Sequence, residues 1–233
     1  MSKFTPQSDY LPVIYPGKVI SPVSSPKRLP RQQREQQMLD AAVEIFSERG
    51  FHGASMDDIA EHAGVSKPLL YLYLGSKEET FSACIARETD RLVETLGAAT
   101  AASEKDPAGR LWHGLTAFFS YVAEHRSSWI VLYQQARTHN EAVAAQLNGV
   151  RQEIIGAVTD LVLEAMPLDG PDEQTRRRQA TAIAYTLVGA ADAMAEWALT
   201  VPDEQPQTTA RRLMSIVWVG LERTAAGERF KRP

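Results

Sequence analysis

From residue 31 onward, apolar side chains recur at helical spacing. Leu39, Val43 and Phe46 fall at i, i+4 and i+7 with Ala42 beside them, which predicts a first helix that Gly50 stops in a left-handed conformation. In "ASMDDIAEHAG", Ser55 is placed to cap a second helix with Asp58 at the capping-box position. Met56, Ile59, Ala60 and Ala63 face inward, and Gly64 ends the element. Ser66 caps a short third helix with Lys67 and Pro68 in its first turn, and Gly75 stops it after Leu74. Ser76 and Glu79 open a fourth helix that runs to about Leu96 on Phe81, Ile85, Leu92 and Leu96. Two helices joined by a short turn containing glycine predict a helix-turn-helix.

Beyond Gly97 the pattern stays helical. Segments 107–125, 128–137, 141–166, 172–200 and 206–225 are separated by short polar stretches, and no strand period persists. The expected fold class is all-α with about nine helices. A flexible, proline-rich arm (1–30) precedes a three-helix head (31–77) and a larger helical domain (78–233).

The third helix raises the question of function. Leu70 and Leu74 share one face and can pack on the first two helices; Lys67, Tyr71 and, more obliquely, Leu69 and Tyr73 then point elsewhere. Two turns of helix are not stable alone, so the element must be held by its neighbours. Its free side offers a cation, two phenols and an apolar edge. That mixture suits a DNA duplex: lysine pairs with phosphate or a guanine edge, a phenol donates to phosphate, and carbon touches a thymine methyl. The helix N-termini at Ser55 and Ser76 add N–H groups where phosphates bind.

The run "LDAAVEIFSERGFHGASMDDIAEHAGVSKPLLYLYLGSKEETF", residues 39–81, resembles the DNA-binding domain of the TetR family of transcriptional regulators. It departs from the family pattern at Pro68, where glycine is common, at Tyr73, where histidine is usual, and at Leu74, where phenylalanine is usual. The resemblance implies a homodimer that binds a palindromic operator, acts as a repressor and is released by a small effector. Carried over residue by residue, it implies that Lys67, Leu69 and Tyr71 read bases and that Ser55, Tyr73 and Lys77 clamp phosphates. Arg31 and Arg34, with Lys27 and Arg28 upstream, would reach flanking DNA.

It also implies that the rear domain binds the effector. Trp112, Phe118, Phe119, Tyr121, Trp129 and Tyr133 crowd into one short stretch, which suits a mostly apolar pocket. Trp197 and Trp218 are either pocket or core. Asp192 and Glu196, one turn apart on an apolar helix, reach the pocket, pair across an interface or face solvent. The stretch "TAIAYTLVGAADAMAEWAL" is rich in small residues and "LMSIVWVGL" is an apolar stripe, so the last two long helices are the expected homodimer contact. The arm and the "LTVPDEQP" linker are loosely similar to those of actinobacterial, lipid-responsive members, which implies an elongated apolar effector of acyl or acyl-CoA type.

Charge supports this division. Residues 1–77 carry 9 Lys+Arg against 8 Asp+Glu, while the remainder carries 16 against 21. The front end therefore suits an anion better than the rear does. Cys84 is alone, so it forms no intrachain disulfide, and His113, His125 and His139 lack ligand spacing; no metal or cofactor is expected. A lone cysteine, no signal-peptide pattern and an apolar stretch (180–195) broken by Thr181, Thr186 and Asp192 place the chain in the cytoplasm with no membrane span. No nucleophile–base pair, phosphate loop or metal box marks an enzyme. The competing expectation is a helical adaptor that keeps the fold without binding DNA.

Overall fold

The computed structural model describes residues 30–101, 106–135, 141–166, 168 and 172–226. Among them are nine α-helices and no strand. In chain order these are α1 (Arg31–Gly53), α2 (Met56–His62), α3 (Lys67–Leu74), α4 (Lys77–Ala101), α5 (Pro107–Glu124), α6 (Arg126–Trp129), α7 (Glu141–Ala165), α8 (Glu173–Ala198) and α9 (Pro206–Ala225). A π-helical turn, Ile130–Gln135, continues α6 directly. No helix among the described residues is long and apolar enough to cross a membrane.

Ser55 and Ser76 cap their helices as expected, whereas Ser66 stands at the N-cap of α3 without a side-chain capping bond. The Asp58 N–H donates to Ser55 Oγ at 3.1 Å, and the Ser55 N–H donates back to the Asp58 carboxylate at 3.1 Å. Ser76 and Glu79 repeat the arrangement at the start of α4, at 3.2 and 2.7 Å. Both boxes satisfy N–H groups that a helix start leaves without partners. Gly50 has φ of 70°, as the stop signal requires, yet helical turns resume after it, so α1 is kinked there and ends at Gly53. Gly75 has φ of 73°, a left-handed conformation that calls for glycine.

Two boundaries differ from expectation. The fourth helix does not end near Leu96 but continues through Gly97 to Ala101. The helix expected from residue 128 begins at Arg126, because His125 (φ −123°, ψ 51°) is a single-residue break that ends α5 and opens α6.

Leu70 and Leu74 seat α3 in a head core with Phe46, Ile59 and Phe81. Phe46 and Phe81 meet edge to face with ring centroids 4.9 Å apart. Burying Leu70 completely contributes about 2 kcal/mol, which a two-turn helix needs. The head core is completed by Cys84 and Ile85 of α4 and by Val131 of the π turn. Burial pushes the Cys84 thiol up to about 12, so it stays protonated and unreactive. A second core joins Leu92 of α4 to α5, α8 and α9, and a third lies among α7, α8 and α9. One continuous helix, α4, therefore belongs to the head at its start and to the body beyond.

Candidate nucleic-acid interface and ligand cavity

With Leu70 and Leu74 turned inward, α3 presents Lys67, Pro68, Tyr71 and Leu72 to solvent. Tyr71 is 44% exposed and Leu72 75%. Leu72 was not among the expected contact residues. It lies about 200° around the helix from Leu70 at 3.6 residues per turn, so the helical wheel places it on the outer face. Leu69 and Tyr73 are half-buried against the head core. The Arg31 guanidinium stacks over the Tyr73 ring at 5.6 Å from its centroid, which places both beside the outer face of α3. Arg34, one turn further on, is half-buried. Lys27 and Arg28 lie outside the described residues.

The lysines are not idle. Lys67 Nζ bonds the Asp57 carboxylate at 2.8 Å, and that partner first of all raises its pKa. Both groups are well exposed, so the pair is worth little and a phosphate can displace Asp57. Lys77, expected to clamp a phosphate, is engaged within the head. Its Nζ donates to the Ala54 carbonyl at 2.7 Å and lies 4.5 Å from the Phe51 ring centroid. The physical reason is that Ala54 closes the C-terminus of α1, where an unpaired carbonyl and the negative helix end attract a cation. Ser55 Oγ is occupied in its capping box, so what Ser55 can offer an anion is the helix start rather than a free hydroxyl.

In the body, α4, α5, α7 and α8 enclose a cavity of about 490 Å³, a volume typical of small-molecule sites. Of the aromatics expected there, Phe118, Trp129 and Tyr133 line it. Trp129 stacks on Tyr133 at 4.9 Å and meets Phe118 edge to face at 5.3 Å. The other four are placed elsewhere. On α5 the cavity face runs through Leu111, Leu115 and Phe118. Trp112 and Phe119 lie one step round the helix and pack in the body core. Tyr121 is buried with its hydroxyl donating to Glu88. Trp197 is exposed on the outer side of α8 and α9, in a shallow groove with Met194, Arg212 and Ile216.

Most of the remaining wall is aliphatic, which aromatic density in the sequence does not mark. Leu147, Val150, Ile154, Val158 and Leu161 of α7 form a continuous helical stripe along it. On α8, Asp192 is buried at the cavity and paired with Arg151, while Glu196 is exposed. Arg110 also lines the cavity and pairs with Glu164.

Where α4 passes from head to body, a polar network is packed into the joint. Glu88 is 0% exposed. Its carboxylate accepts from Arg87 at 2.6 Å, from Arg91 at 3.1 Å and from the Tyr121 hydroxyl at 3.2 Å. Arg87 also reaches Asp40 at 2.8 Å and the Gln36 carbonyl at 3.1 Å, both on α1. Burial, reinforced by Glu88, raises the Tyr121 pKa, so the phenol remains a donor. The network ties α1, α4 and α5 together one residue from the cavity wall at Thr89.

Known proteins divide along the same lines. Residues 38–84 match the family described as "Bacterial regulatory proteins, tetR family", and residues 107–220 match "Tetracyclin repressor-like, C-terminal domain". The crystal structure of a TetR-like transcriptional regulator from Rhodococcus sp. RHA1 superposes with a TM-score of 0.71 at 42% identity, covering 84% of this chain and 99% of that one. The HTH-type transcriptional activator FasR of Mycolicibacterium smegmatis is 37% identical over 135 residues; the match takes in 58% of this chain and 61% of that relative, less than two thirds of its length. The fold is shared with FadR from Bacillus subtilis, whose crystal structure holds stearoyl-CoA (TM-score 0.65, 19% identity, 83% of this chain and 99% of that one). A helix-turn-helix head and a helical body, each matched to the family and both matched together in the Rhodococcus protein, make this chain a member of the TetR family of transcriptional regulators.

Proposed function

We propose that the protein is a homodimeric regulator that binds a palindromic operator through α3 and releases it when an elongated apolar effector fills the cavity. The observation that carries this reading is the continuity of α4. Phe81, Cys84 and Ile85 fix its start in the head core, and Leu92, Val93 and Leu96 line the cavity beyond. A body that changes shape around a ligand must carry the head with it.

Each head offers Lys67, Tyr71 and Leu72 to the major groove, with Arg31 and Tyr73 at its edge and the helix starts at Ser55 and Ser76 facing phosphates. A second copy of the chain supplies the other head. It docks on the outer face of α8 and α9, where Tyr185, Trp197, Ile216 and Val219 stand exposed. Two heads must sit about one helical turn of DNA apart, roughly 34 Å, or a related spacing. An effector that prefers the other spacing lowers DNA affinity by its differential affinity for the two arrangements.

The cavity favours an acyl or acyl-CoA ligand. Along α4 it extends from Thr89 to Thr100, about 16 Å at 1.5 Å per residue. The stearoyl-CoA held by the FadR of the same fold is in keeping with that shape. Release turns a gene on where the operator overlaps its promoter and off where the bound protein recruits polymerase; the repressor reading is the first of these.

The test is fluorescence anisotropy with labelled duplex from upstream of the protein's own coding region, titrated with palmitoyl-CoA. Binding that falls by tenfold or more as ligand saturates is expected from a coupling of about 1–3 kcal/mol. Ligand binding with no change in DNA affinity would defeat the mechanism.

A further inference from the structure

Thr89 is 4% exposed, lines the cavity, and its hydroxyl has no hydrogen-bond partner. Thr116 of α5 shares that state but does not line the cavity; several other helical threonines are satisfied. Thr95, Thr100, Thr159 and Thr186 each sit within a helix and donate to the carbonyl four residues back. A helical threonine satisfies itself in this way at no cost to the fold. Thr89 forgoes that bond at the one place on α4 where a cavity meets the joint with the head. A buried hydroxyl without a partner costs about 1–3 kcal/mol, and a ligand oxygen at Thr89 would remove that cost.

A second unsatisfied donor stands at the other end. Arg110 Nε is buried without a partner, although another nitrogen of the same guanidinium holds Glu164. Thr100 of α4 lies beside Gly114 of α5, one turn from Arg110, so Arg110 belongs to the end of the cavity away from the head. Thr89, Trp129 and Tyr133 belong to the head-ward end, since the π turn that carries Tyr133 also places Val131 in the head core. Most of the remaining lining is leucine, valine and isoleucine, interrupted by the Arg151–Asp192 pair and by Asn148 and Glu153.

Resting on the reading of the cavity as an effector site, we infer that it is built for a chain with oxygen at both ends: an anionic head at Arg110 and a second oxygen, hydroxyl or carbonyl, at Thr89. The ligand class is an oxygenated long-chain acid, rather than a plain saturated one. The head-ward oxygen sets specificity. It is also the group that touches α4 next to Glu88, so it is placed to bias the joint as well as to bind.

The test displaces a fluorescent apolar probe, 1-anilinonaphthalene-8-sulfonate, from the full chain with dodecanoate, tetradecanoate and hexadecanoate and with their ω-hydroxy counterparts. Wild type should bind the best-fitting ω-hydroxy acid about five-fold or more tightly than its plain counterpart, the ratio expected for one hydrogen bond. Thr89→Val should reverse the order, because the ligand hydroxyl then enters an apolar site unpaired. Thr89→Ser should restore it. Thr89→Val should melt no lower than wild type, since it removes an unsatisfied group, and that measurement separates a folding defect from lost recognition. Plain and hydroxylated acids that bind equally well, or a preference that survives Thr89→Val, would overturn the inference while leaving the cavity reading intact. Failure of every acid to displace the probe would overturn both.

Discussion

Leu72 stands on the outer face of a helix too short to be stable alone, and nothing among the described residues covers it. With Tyr71 beside it, it forms the part of α3 furthest from the head core. Leu72→Asp should abolish operator binding, and Tyr71→Ala should weaken it by tenfold or more at about 1–3 kcal/mol per base contact. Both variants should melt within about 0.5 kcal/mol of wild type. Anisotropy and thermal melts check the two halves of this expectation; binding that survives both changes would mean that another face meets DNA. The capping acids make a different prediction. Hydrogen bonds from Ser55, then Arg49, hold the Asp58 carboxyl below its ordinary 3.8, and Ser76 holds Glu79 below 4.5. A carboxylate with a lowered folded pKa contributes stability above its unfolded pKa and loses it as pH falls through the folded value. Asp58→Asn should therefore be less stable than wild type at neutral pH, and the gap should close on acidification below pH 3.8 in thermal melts. At this scale the caps were legible because they are local chemistry. The Leu72 face was legible too, from the angle to Leu70. The fate of Lys77 was not, because the Ala54 carbonyl that takes its ammonium comes from an element more than twenty residues away.

Between elements, the cavity depends on how four helices face one another. Helix ends could be read from Ser, Gly and Pro, whose preferences act within a turn. The cavity wall could not, because each of α4, α5, α7 and α8 contributes one stripe and the sequence does not say which stripes meet. Phe118 and Phe119 illustrate this: adjacent in the chain, one lines the cavity and the other fills the core behind it. Asp192 of α8 is held there by Arg151 of α7. Arg151→Met should destabilise the fold by up to about 3 kcal/mol, because a buried carboxylate loses its guanidinium. Arg151→Met with Asp192→Leu should recover most of the loss, as two apolar residues of similar size replace the pair. Denaturant melts of the two variants decide the point; equal stabilities for single and double variants would contradict it.

Across the whole molecule, the head is joined to the body by α4 and by the Glu88 network that ties α1 to α5. Glu88→Gln should leave both the head and the cavity in place but loosen that joint, so the ligand-induced loss of DNA affinity should shrink while affinity for DNA alone stays within a few-fold. The proposed regulation also needs a second copy of the chain, docked on the exposed face of α8 and α9. Ile216→Glu should give monomers in sedimentation at micromolar concentration. The most direct measurement is selection from a pool of random DNA duplexes by the wild-type protein, followed by sequencing of what it retains. An inverted repeat should emerge, with half-sites about one helical turn apart or at a related spacing, and the same selection with Leu72→Asp should enrich nothing. No enriched sequence from wild type, or the same motif from both proteins, would contradict a DNA-reading role for α3.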